Sequence, residues 1–199
     1  LPEDFYSSEF FVDQMIEFIE EDKEMGSPFF AYLSFQAQHI PLQAPQEFID
    51  KYLTTYEEGW DILREQRKNN AVEKGIFPPD KKIVDSMSTL DSWSALDQES
   101  KKMIIKSMAV FAGMLDAMDF HIGRFMTYLK KEGLYENTIF IVTADNGPEG
   151  NDPSDHAPWR EWFKTIYDRD YETLGDQDSY VYIGTEFAQA MASPSHLFK

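Results

Sequence analysis

Asp145 and Asn146 stand at the end of an apolar run, Thr138-Ile139-Phe140-Ile141-Val142-Thr143-Ala144, and Gly147-Pro148 follow them directly. A carboxylate and an amide oxygen side by side are hard donors of the kind that serve Ca²⁺ or Mg²⁺. Asp-Asn-Gly is equally an ordinary turn sequence, so the three residues taken alone leave both readings open. His39 lies just past a second apolar run, in Gln36-Ala37-Gln38-His39-Ile40-Pro41-Leu42. An imidazole there could donate to an anionic substrate or protonate a leaving oxygen near neutral pH, although a lone loop histidine is ordinarily a surface residue. The other histidines have weaker claims: His121 falls in a helical pattern beside Asp119 and Arg124, His156 in a polar loop, and His196 near the last residue.

The charge balance narrows what these groups could act on. With 18 Lys and Arg against 36 Asp and Glu, the chain carries a formal charge of −18 and lacks the broad basic surface that nucleic acid or an anionic membrane demands. An anionic substrate must therefore meet a local positive site: a bound metal, one or two placed lysines, or a helix N-terminus. The absence of cysteine excludes a disulfide framework, a thiolate zinc site and a thiol nucleophile within these residues. Composition leaves the compartment and the oligomeric state open. Leu1-Pro2-Glu3-Asp4-Phe5-Tyr6 shows no basic start followed by an apolar run, and no stretch reaches about 18 uninterrupted apolar residues, so a soluble chain without membrane insertion is expected.

The elements that would position these groups are readable from periodicity. At 42% hydrophobic and 15% aromatic content, 199 residues suffice for one domain with a core. Residues 7–24 have helical spacing, with Ser7 and Ser8 as caps, Phe11, Met15, Phe18 and Ile19 inside, and Gly26 and Pro28 as terminators. Phe29-Phe30-Ala31-Tyr32-Leu33-Ser34-Phe35 predicts a strand buried on both faces, left through a loop at residues 36–45. Residues 45–75 are mostly helical in pattern and residues 76–97 irregular. Residues 98–132 predict one long helix ending near Gly133, its inner face made of Ile104, Met108, Phe111, Leu115, Met118, Ile122, Phe125 and Leu129. Residues 138–144 then predict a second buried strand. Helix, strand, polar loop, repeated, is the pattern of an α/β fold with a mixed, mainly parallel sheet flanked by helices. Ligands gather at the carboxyl ends of such strands, which would set His39 and Asp145 at one sheet edge. The tail, residues 151–199, predicts loops with a short helix near 184–191.

Taken together, these segments resemble the type I sulfatases, in particular bacterial arylsulfatases. Residues 29–45, Phe29 through Pro45, are similar to the segment in which a strand delivers a substrate-binding histidine with Pro two positions later. Ile122-Gly123-Arg124, Gly133-Leu134, Asn137-Thr138 and Thr143-Ala144-Asp145-Asn146-Gly147 resemble the family's long helix, strand and metal-binding Asp-Asn pair. Tyr171-Glu172-Thr173-Leu174-Gly175, Ser179-Tyr180-Val181-Tyr182-Ile183-Gly184 and Ser193-Pro194-Ser195-His196-Leu197-Phe198-Lys199 resemble the segment carrying the sulfate-binding lysine, the role that falls to Lys199.

The resemblance implies an alkaline phosphatase-like sandwich, incomplete here, and hydrolysis of a small sulfate ester. It assigns Asp145 and Asn146 to Ca²⁺, with Mg²⁺ the other hard cation, and His39 and Lys199 to sulfate binding and catalysis. It also points toward a periplasmic or secreted protein. The family's formylglycine nucleophile arises from Cys or Ser in a Cys/Ser-x-Pro/Ala-x-Arg motif, and no residue here begins one. The paired aspartates that complete the metal site and the Lys-x-His segment are absent too. Residues 1–199 are accordingly expected to be the central part of a sulfatase catalytic domain, inactive alone, with the nucleophile upstream. The competing expectations are a phosphonate monoester or phosphodiester hydrolase of the same superfamily, and a non-catalytic fragment.

Overall fold

The structure, a computed structural model, describes residues 2, 5–23, 26–83, 85, 91–195 and 198. Helix α1 (Ser7–Asp22) opens it, followed by α2 (Gln46–Ile49), which runs into a 3₁₀ turn at Asp50–Tyr52, and α3 (Gly59–Glu73). The 34-residue α4 (Gln98–Lys131) is the spine, and α5 (Trp159–Ile166) and α6 (Gly184–Ala192) complete the set.

Local signals account for the helix ends. Asp97 caps α4, its carboxylate accepting from the Ser100 N–H at 2.8 Å, and Lys130 and Lys131 lie at the carboxyl end, where the helix dipole favours cations. Gly133, at φ +70°, and the Leu134 N–H bonded to the Leu129 carbonyl close the last turn. In α1 the capping position is Tyr6, without a side-chain cap; Ser7 and Ser8 belong to the first turn, and Ser8 is buried.

Two apolar clusters hang on α4. The larger joins its middle, from Met108 to Met114, to Leu42, Ile49, Trp60, Leu174, Val181, Ile183 and Phe187. Here α4 is buried on nearly every side, and Gly113 lets α2 come close: a Cβ would stand 2.9 Å from the Ile49 nitrogen. The smaller cluster packs Val12 and Ile19 of α1 on Phe125 and Leu129. The predicted inner faces are corrected at Phe18, 56% exposed, and Leu115, 43% exposed. Lys106, unexpected in a core, is buried because its ammonium donates to the carbonyls of Tyr171 at 2.5 Å and Glu172 at 3.2 Å. A buried charge persists only with such partners.

The mixed, mainly parallel sheet expected from residues 29–35 and 138–144, and with it the alkaline phosphatase-like sandwich, is not formed. Among the described residues there is no strand ladder, and the β pairing is an isolated parallel bridge between Asp168 and Ser179. Neither apolar run pairs: in residues 29–35, Ala31, Leu33 and Phe35 pack against the smaller cluster while Phe30 is 92% exposed, and in residues 138–144 Ile139 is 89% and Val142 90% exposed. The physical reason is locality. A helix closes its hydrogen bonds within four residues, whereas a strand borrows them from a distant partner, and neither run meets one. His39 and Asp145 therefore do not share a sheet edge.

Candidate functional site

His39 sits at the exposed tip of a loop fastened on both sides. Its N–H donates to the Gln36 carbonyl at 2.8 Å, closing a turn, and its Nδ1 lies 2.7 Å from the Ile40 carbonyl. A carbonyl only accepts, so Nδ1 carries the proton and Nε2 faces outward as the ring's other functional nitrogen. Before the tip, the Gln38 amide donates to the Phe111 carbonyl of α4 at 3.2 Å. After it, Leu42 is buried, and its N–H donates to the Val181 carbonyl at 3.0 Å; the Ala44 N–H donates to the Gly175 carbonyl at 3.1 Å. The Gln43 amide adds bonds to the carbonyls of Gln177 and Ser179. The loop is thus tied to the segment that leads into α6.

Asp145 and Asn146 are exposed, in a bend. The Asn146 amide nitrogen donates to the Gly147 carbonyl at 2.8 Å, which fixes the side chain and leaves its oxygen outward. The turn reading and the donor reading of Asp-Asn-Gly are therefore compatible. Farther on, Gly150 is buried: a Cβ there would lie 2.9 Å from the Phe198 ring, 3.0 Å from the Ala188 Cβ and 3.0 Å from the Thr185 Cα. The Asp-Asn loop therefore ends against α6 and the residue before Lys199. Lys199 itself, like His196, lies outside the described residues.

What this geometry joins is a platform rather than a finished centre. The segment from Leu174 to Phe198 receives the His39 loop at Val181 and Gly175, and the Asp-Asn loop at Ala188 and Phe198. Among the described residues no group of three or more His, Cys, Asp or Glu converges to hold a metal. The donor chemistry of Asp145 and Asn146 fits a hard cation, but two side chains fill only part of the roughly six to eight oxygens that Ca²⁺ takes. Gln38, Gln43 and Gly150 are anchoring residues that the amino-acid sequence does not point out. Their signal is weak, because an anchoring amide or a bare Cα is defined by a partner far away in the chain.

Similarity to known proteins converges on one family. The family profile described as Sulfatase matches residues 1–179. An uncharacterized sulfatase of Schizosaccharomyces pombe is 38% identical over 98% of this chain and 35% of its own length. An arylsulfatase of Klebsiella aerogenes is 34% identical over 98% of this chain and 41% of its own length. A multifunctional alkaline phosphatase superfamily protein of Trinickia caryophylli is 24% identical over 76% of this chain. The chain spans well under half the length of these relatives. Among the described residues no helix is long and apolar enough to cross a membrane. With a family profile matching most of its length and two sulfatases this similar, the chain belongs to the sulfatase family of the alkaline phosphatase superfamily.

Proposed function

We propose that the protein of which these residues form part is an arylsulfatase, hydrolysing a small sulfate ester with a formylglycine nucleophile that lies outside residues 1–199. The observation that carries this reading is the joint one: His39 and the Asp145–Asn146 pair are both presented outward, on loops anchored to the same segment leading to Lys199. The 34% identity to the Klebsiella aerogenes arylsulfatase across nearly the whole chain supports the choice of reaction.

Asp145 and Asn146 would hold Ca²⁺, or Mg²⁺ in its place, through their outward oxygens. The bound cation supplies positive charge beside the sulfate oxygens, which an overall charge of −18 otherwise disfavours. His39, with Nδ1–H held by the Ile40 carbonyl, would donate from Nε2 in its doubly protonated form, to a sulfate oxygen or to the departing ester oxygen. Lys199 adds a point charge on the sulfate. Such groups speed reaction when they are aimed beforehand at charge that develops, and the anchors at Leu42 and Gly150 do the aiming.

The test is a parallel assay of the full-length protein on 4-nitrophenyl sulfate and 4-nitrophenyl phosphate, before and after chelator. Faster turnover of the sulfate ester, lost on chelation and restored by Ca²⁺, is the expected result. Preference for phosphate or phosphonate esters would instead assign a sibling hydrolase of the superfamily, and no turnover of any ester would sink the catalytic reading. The 199 residues alone are expected to turn over none of these esters, since they lack the nucleophile motif and the described residues converge on no complete set of metal donors.

A further inference from the structure

A cavity of about 520 Å³ opens between α5 and the segments at residues 167–169 and 180, within the roughly 300–1,000 Å³ typical of small-molecule sites. Its walls are aromatic. The Phe163 ring meets Tyr180 edge-on at 4.7 Å, and Tyr167 lies 5.6 Å from Phe163 and 5.4 Å from Tyr180. Among the described residues that border it, the charged ones are Arg160, Lys164 and Arg169. In a chain of net charge −18 that is a marked local reversal. Carboxylates pair with these cations, Asp152 3.5 Å from the Arg169 guanidinium and Glu161 3.0 Å from the Lys164 ammonium.

The backbone builds this arrangement rather than leaving it to free side chains. Asp168 accepts from its neighbours' N–H groups, Arg169 at 2.6 Å and Asp170 at 3.0 Å, and from the Thr173 hydroxyl at 3.0 Å. Those bonds, the one from Asp170 foremost, hold its carboxyl below the usual carboxylate range, so it stays an anchor. The Asp168 N–H donates to the Asp178 carbonyl at 2.8 Å, and the Tyr180 N–H to the Asp168 carbonyl at 3.1 Å. Arg169 is thereby set over Tyr180, its guanidinium carbon 5.9 Å from the ring centre, while it donates to the Ser154 hydroxyl at 3.0 Å.

Tyr180 is 3% exposed, and its hydroxyl has no hydrogen-bond partner among the described residues. Burial pushes that phenol above its ordinary range, so it stays uncharged at any physiological pH. Tyr180 therefore serves the cavity through its ring, over which Arg169 is set.

We propose that this cavity is a binding site for a small aromatic anion, whose ring stacks on Phe163 and Tyr167 and whose sulfonate, sulfate or carboxylate oxygens accept from Arg169 and Lys164. None of these residues belongs to the His39, Asp145, Asn146 and Lys199 set, and the assignment does not depend on the catalytic reading. A flat ring fits the aromatic walls, and an anion fits the cationic rim.

Calorimetric titration of the full-length protein with benzenesulfonate, which no ester hydrolase can cleave, tests this. Methanesulfonate supplies the anion without the ring, and benzyl alcohol the ring without the anion. Expected are saturable binding of benzenesulfonate, binding of either control at least about tenfold weaker, and a loss of about tenfold in Arg169→Gln and in Lys164→Gln, each of which removes one donor to the anion. Lys164 is exposed, so Lys164→Gln leaves the packing in place and a folding defect in Arg169→Gln would not leave the question open. Affinity retained in both variants, or equal binding of methanesulfonate, would overturn the site. Affinity lost in His39→Ala but kept in Arg169→Gln would place the ligand at the His39 loop instead and overturn it too. Failure to hydrolyse any sulfate ester would leave this result untouched, so the two readings fail separately.

Discussion

Gly150 lies so close to Phe198 that a Cβ on it would stand 2.9 Å from the ring, which makes the end of the Asp145–Asn146 loop part of the packing around α6. The Thr185 Cα and the Ala188 Cβ, each 3.0 Å from the same point, cannot swing aside as a side-chain tip can. Gly150→Ala is expected to cost about 1–3 kcal/mol by overpacking. Chemical denaturation of the full-length protein measures this. Turnover of 4-nitrophenyl sulfate should fall with it, because the loop that aims Asn146 must shift.

His39→Ala and Asn146→Ala should behave in the opposite way. Both side chains are exposed, so stability should change by no more than about 0.5 kcal/mol. In the full-length enzyme kcat/KM should drop by roughly 10² to 10³, the usual effect of removing one preorganised donor or ligand. Melting curves and steady-state kinetics on the same samples separate the two effects. Near-wild-type turnover in His39→Ala would take that histidine out of the mechanism.

Lys106 offers a purely structural test. The residue is buried, and its ammonium holds the Tyr171 and Glu172 carbonyls. Lys106→Met keeps the length of the side chain but removes its bonds to two carbonyls, and a loss of about 1–3 kcal/mol is expected for bonds from a charged donor. A gain in stability would mean that desolvating the charge costs more than its bonds return.

His121 predicts a pH dependence. It is 4% exposed, and its Nδ1 lies 2.9 Å from the Arg124 guanidinium, which can only donate, so the folded state holds a neutral imidazole. Burial lowers its pKa below the ordinary 6.5; Arg124 adds to this, while Glu9 and Asp13 oppose it. The unfolded chain then binds the extra proton first. Stability from this group is full above about pH 6.5 and is lost as pH falls through that value toward the lowered folded pKa. Urea unfolding between pH 7.5 and pH 5 should show a steeper decline for the wild type than for His121→Gln; parallel curves would exclude the linkage.

Elements with local causes were legible in the amino-acid sequence. Helix α4 follows from apolar residues at helical spacing between Asp97 and Gly133, and α1 from the same spacing. Phe18 and Leu115 were misread as core because spacing defines a stripe but not its edges, which depend on what packs opposite. Helix α5 was missed: Trp159, Trp162, Phe163 and Ile166 have helical spacing, but the surrounding Pro, Asp and aromatic residues dilute it. The runs at 29–35 and 138–144 carried strong strand composition, yet composition supplies no partner strand.

By itself the sequence determined the family and the donor chemistry, because residue types such as His39, Asp145 and Asn146 and their order along the chain are written in it directly. Only the tertiary structure decided that the His39 loop is pinned at Val181, that the Asp-Asn loop is seated on Ala188 and Phe198, and that three cations and three aromatic rings enclose a cavity beside α5. Helical hydrogen bonds close within a turn and leave a period in the sequence. Loop anchors and cavities are made by groups tens of residues apart, and their closure leaves no period to read.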